Sequence, residues 1–291
     1  MNKTFKKTLL AVAIITTFTS GCRSKDEYRK FAQAGKNFAD ANNALLDAAG
    51  NVTVDTTSER LLSYRTGQEL NPSDAQKTAA RYEELSNQDI ERLELIKELR
   101  KHNQFLQDYF NKLIDLAGSD SPDKTQKSVD NIALQLQNSG VKLINFGKIG
   151  KLPPVTKIIL DARIRGAIRK ELERRKETIY REISIQEESL KVLSKSMEDD
   201  IKVMRDLQKY RLVIKPLLQA ENIDEDDWIE TRNKLIIQDD SVILTINQAK
   251  GSLGELKQIF IASIEGELTS KRLNKFIQET NSFSELVLNK K

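Results

Sequence analysis

Residues 158–214 read IILDARIRGAIRKELERRKETIYREISIQEESLKVLSKSMEDDIKVMRDLQKYRLVI, and this stretch decides the fold. Ile158, Ala162, Leu172, Ile179, Ile183, Leu190, Leu193, Met197, Met204, Leu207 and Ile214 keep one alternating three-four spacing, the seam of a helix that packs on other helices. Nothing between Pro154 and Pro216 breaks it, so one helix of about 85 Å is expected at 1.5 Å per residue. The register also passes through Arg165, Arg169, Lys176, Gln186, Asp200 and Arg211, so the seam carries charge and is not a dry zipper.

Similar patterns lie on both sides. Toward the N-terminus, Tyr28, Phe31, Gly35, Phe38, Leu45 and Ala49 share a helix face interrupted by Asn42, and Gly50 is expected to end that helix. Thr56 and Glu59 then fit a capping box for a short second helix. Asn71-Pro72 opens a long third helix with a heptad register from Tyr82 to Ala117, in which Ile90 and Leu93 stand in where Asp89 and Arg92 fall on the seam. Ser121-Pro122 begins another, carrying Val129, Ile132, Leu136, Val141 and Ile144. After Pro216, the acidic run Asp224 to Asp227 starts one helix carrying Trp228 through Phe260. Gly266 and Thr269 punctuate before a last amphipathic helix with Leu273, Phe276, Ile277, Phe283 and Leu286. No strand alternation persists, so the fold class is all-α: an elongated antiparallel helical bundle with long coiled-coil-like helices.

Charge and cysteine content narrow the function classes. Of 47 basic side chains, Lys3, Lys6 and Lys7 lie in an N-terminal segment read below as removed, leaving near balance with 43 acidic ones. That balance excludes the sustained basic excess that nucleic-acid binding requires. The single cysteine, Cys22, excludes an intramolecular disulfide and a cysteine-based zinc site.

The first residues have the layout of an export signal: basic Met-Asn-Lys-Thr-Phe-Lys-Lys, an apolar run from Thr8 to Phe18 too short for a comfortable membrane span, then Thr19-Ser20-Gly21-Cys22. Small residues directly before a lone cysteine resemble the lipobox of bacterial lipoproteins. The resemblance implies that residues 1–21 are a signal peptide cleaved by signal peptidase II, and that Cys22 is the lipidation site. Residues 22–291 would then form one lipid-anchored helical domain. Two or three acyl chains, at about 0.8 kcal/mol per buried methylene, hold a protein on a bilayer from which a single chain would escape. In that class aspartate after the cysteine retains the protein at the inner membrane; Arg23 and Ser24 stand there instead, which favours the outer membrane with the body in the periplasm.

Catalytic inventory is thin. His102 is the sole histidine and reads as a partly exposed helical residue, since a catalytic or metal site there would have only carboxylates and hydroxyls to draw on. Gly147, Gly150 and Lys151 lack the first glycine and the final Ser or Thr of a phosphate loop. The paired acids Glu187-Glu188, Asp199-Asp200 and Asp239-Asp240 point about 100° apart on a helix and do not converge on one ion. No cofactor and no metal is expected.

Between Lys157 and Lys176 eight basic residues face only three acids, and Arg165, Arg169, Arg174 and Arg175 are the candidates for an anionic surface or partner. The favoured alternative is a helix face paired with acids of its own bundle. The expected function is a non-enzymatic envelope lipoprotein, a helical scaffold or protein-interaction module with an envelope protein as partner. The alternative is an accessory, immunity or exclusion lipoprotein that shields or inhibits a partner.

Overall fold

The computed structural model describes residues 20–65, 72–118, 122–147, 152, 158–160, 166–219, 223–237 and 241–288. These hold eight α-helices and no strand: α1 Ser20–Arg65, α2 Pro72–Gly118, α3 Pro122–Gly147, α4 Gly166–Lys209, α5 Lys215–Gln219, α6 Glu225–Ile237, α7 Ser241–Glu265 and α8 Ser270–Leu288. A π-helical turn, Tyr210–Ile214, joins α4 to α5. The protein is an all-α helical bundle.

Side-chain bonds fix the directions. Thr57 Oγ1 donates to Asp89 Oδ2 at 2.6 Å and Asn103 Nδ2 to the Ala39 carbonyl at 2.9 Å, so α1 and α2 are antiparallel. α2 and α4 are antiparallel too, with Tyr109 against Glu171 and Arg92 against Asp200. α3 and α4 are instead parallel: Gln126 Nε2 donates to Glu171 Oε2 at 2.7 Å, and further along Gly140 lies against Glu182. α7 runs back down α4, with Ser194 donating to Asn247 and Lys257 paired with Glu187. α8 closes the bundle on α1, where Asn37 Nδ2 donates to Asn281 Oδ1 at 3.0 Å.

The core runs along the seam, with Leu172, Ile179, Ile183, Leu190, Leu193 and Met197 buried. An aromatic cluster ties three helices, Phe31 lying 5.0 Å from Phe110 and 6.2 Å from Phe260 between ring centroids. Gly266, at φ 78°, ends α7 as a left-handed cap; Glu267 N–H donates to the Ala262 carbonyl at 2.9 Å, and Thr269 Oγ1 accepts the Arg272 N–H at 3.2 Å to begin α8.

Several sequence expectations are corrected. α1 does not end at Gly50, which is buried in its interior where an added Cβ would stand 3.3 Å from Leu93. The glycine allows close helix approach. Thr56 and Glu59 form no capping box: Thr53 and Thr56 donate to the carbonyls of Ala49 and Val52, four residues back, so the hydroxyls feed the helix they were read as starting. The long seam begins at Gly166, not Ile158, which is buried from a non-helical segment. At the other end Ile214 leaves the seam and Val213 is buried, because the π-helical turn holds an extra residue ahead of Pro216, which has no N–H to continue an α-helical ladder. Ile90 and Leu93 are exposed, since Asp89 and Arg92 keep the inner face by bonding Thr57 and Asp200. The segment from Trp228 to Phe260 is two helices; Ser241 is an N-cap residue type at the new start.

Candidate functional site

Cys22 sits in the first turn of α1. Residues 1–19, and with them most of the segment expected to be an export signal, lie outside the described residues, as does Arg165. Among the described residues no helix is long and apolar enough to cross a membrane.

The basic stretch at the start of α4 meets acids of its own fold. Arg169 Nε lies 2.8 Å from Glu173, one helical turn on. Arg175 reaches Glu171 at 2.6 Å and Asp130 of α3 at 2.9 Å, and Arg174 contacts the same two carboxylates. Glu171 is buried, at 1 % exposure, and is the hub: Gln126 and Tyr109 also donate to it. Burial pushes the Tyr109 phenol well above its ordinary range, and the Glu171 charge adds to that. Desolvation pushes the Asp130 carboxyl up, but the hydrogen bonds from Gln126 and Arg175 and the two guanidinium charges prevail and hold it below the usual carboxylate range. Arg175 is likewise raised against desolvation by Glu171 and Asp130. What this cluster does is pin α2, α3 and α4 together at one level. Arg174, half-exposed, keeps a side toward solvent.

His102 is not the partly exposed residue the sequence suggests; it is at 0 % exposure. Its Nε2 donates to Glu182 Oε2 at 3.1 Å and its Nδ1 lies 2.9 Å from Gln186 Oε1. Gly140 makes the pair possible, because a Cβ there would stand 2.0 Å from Glu182 Oε2. The ring meets no solvent, so the constellation clamps α2 to α4 and offers no reacting atom to a ligand. Among the described residues no group of three His, Cys, Asp or Glu side chains is placed to hold a metal.

A third cluster lies where α1 meets the end of α4. Arg211 binds Glu59 at 2.6 Å, Gln208 donates to Glu59 at 3.3 Å, and Arg60 and Arg92 converge on buried Asp200. It ties the far end of α1 to α2, to the end of α4 and to the π-helical turn.

Sequence reasoning missed the acids. Glu171 is legible as a helical neighbour of Arg174 and Arg175, but Asp130 answers them from α3, and His102 on α2 meets Glu182 of α4 beside Gly140 of α3, pairings that no local spacing marks. It also missed the exposed Leu217, Leu218, Ile236 and Ile237 beyond the seam. Comparison with protein-family models, curated proteins and solved structures finds no match for this chain.

Proposed function

We propose that this chain is a lipid-anchored cell-envelope protein, held at the membrane by acyl chains on Cys22, with its body in the periplasm as a non-enzymatic scaffold or protein-interaction module. The observation that carries the reading is the place of Cys22 at the start of α1. The residue that the lipobox resemblance marks for acylation lies in the helix that runs to Arg65, so helical backbone leads from the proposed anchor into the bundle. Along that helix the far end stands about 65 Å from the cysteine at 1.5 Å per residue. Arg211 of the π-helical turn pairs with Glu59 toward that far end, and the segment that follows the turn leaves Leu217, Leu218, Ile236 and Ile237 exposed to protein partners. Arg23 and Ser24, in place of aspartate, favour the outer membrane.

Replacement of the acceptor tests the anchor. Cys22→Ser is expected to lose palmitate labelling and to accumulate as an uncleaved precursor; labelling that persists would remove the lipoprotein reading. Crosslinking in intact cells, read by mass spectrometry, tests the module, and recovery of no envelope protein would count against it.

A further inference from the structure

The segment after α4 is sparsely covered by its own fold. α6 contains no buried residue, and its 13 residues fall at the length where a helix without tertiary packing is marginal. One side of it leans on the π-helical turn, where Trp228 Nε1 donates to the Val213 carbonyl at 3.1 Å. The other side presents Ile229, Ile236 and Ile237 to solvent, the last at 78 % exposure. The preceding arm does likewise: Ile214, Leu217 and Leu218 are exposed and spaced to share one helix face. Apolar side chains grouped in this way mark contact sites on soluble surfaces.

The charges on the two arms identify the occupant. Lys209 and Lys215 flank the first arm, whereas the second opens on Asp224, Glu225, Asp226 and Asp227, all exposed. An acidic run beside the apolar patch is repelled by anionic lipid, which argues against a membrane surface. A foreign protein would need to supply both an acidic and a basic side at matching distance. A second copy of this chain already carries both. A two-fold axis lays each basic arm along the other copy's acidic arm and closes the apolar side chains between them, the self-complementary geometry of an isologous interface.

We propose that the chain forms a two-fold dimer through residues 210–219 and 223–237, far from the Cys22 end of α1. This does not depend on lipidation, so failure of the anchor reading leaves it standing.

Sedimentation of the full-length chain in mild detergent, over a concentration series, should give twice the chain mass. Leu218→Glu and Ile236→Glu change exposed side chains and should leave the far-ultraviolet spectrum unaltered while weakening the dimer at least tenfold. Lys215→Glu should weaken it as well, and adding Asp226→Lys on the same chain should restore it, a rescue expected only when the partner is another copy. In intact cells Leu218→Cys should give a disulfide-linked dimer that neither the native chain nor Lys275→Cys forms. A monomer in both settings overturns the proposal. So does association that Leu218→Glu leaves unchanged, or a monomer whose vesicle flotation needs Leu218.

Discussion

Glu182 holds His102 from the space that Gly140 leaves empty, a carboxylate oxygen 3.1 Å from the ring Nε2 and only 2.0 Å from where a Cβ on the glycine would stand. Gly140→Ala in an exposed helix position would stabilise through propensity. Here it must push the carboxylate off its buried partner, and the expected cost is about 2 kcal/mol, or a Tm lowered by roughly 5 °C. Gly251 is the matched control, since a Cβ there meets nothing within 4 Å. Gly251→Ala should raise stability by about 1 kcal/mol. Thermal melts of the two variants check both signs, and equal shifts would show that the Gly140 contact does not matter.

The arginines at the start of α4 differ in what they support. Glu171→Ala removes the hub of a buried cluster and leaves Arg175 with only the half-exposed Asp130; a loss of about 3 kcal/mol is expected. Arg174→Ala, on a side chain 49 % exposed, should cost about 0.5 kcal/mol. Reversing Arg174 and Arg175 together to Glu should lower the Tm substantially. Denaturant unfolding of the three variants reads the order directly, and an unchanged Tm for the double reversal would show that these side chains serve an external contact.

Tyr109 gives the fold an alkaline limit. Its phenol is raised in the folded state, by burial first and then by the charge of Glu171, above the ordinary value of about 10. The folded state therefore binds this proton more tightly than the unfolded state does. The stabilisation is fully present below pH about 10 and is lost as the pH climbs toward the folded value. Absorbance titration at alkaline pH should show one tyrosine that ionises only as the helix signal collapses. Tyr109→Phe should remove that late phase, and a late phase that survives would assign it to another residue.

The seam of α4 was legible because its apolar spacing is local and long, and the turn at Gly266 because a left-handed cap admits few other residues. Gly50 and Thr56 misled for one reason: the same residue types that end helices in isolation serve packing when a neighbour is near. Glycine there lets Leu93 approach, and threonine hydroxyls satisfy themselves on the preceding turn. His102 looked solvent-facing because its buried partners, Glu182 and Gln186, lie 80 and 84 residues away. Arg174 and Arg175 stood out as a charge excess because one of the carboxylates that answer them, Asp130, belongs to α3. Among these side chains, what the sequence hides is mostly charge pairing between helices.

The closure of α8 on α1 sets an order of events in time. Asn37 waits for Asn281 across 244 residues, and the ring of Phe38 gains its neighbour, Phe283, only when the last helix exists. On the ribosome the first helix therefore stays incomplete until synthesis is almost finished, since its closing contact spans 244 residues. For a chain exported as proposed, passage through a membrane channel demands an unfolded thread. A bundle whose first helix is closed by its last stays incomplete, and so easier to thread, until delivery is done.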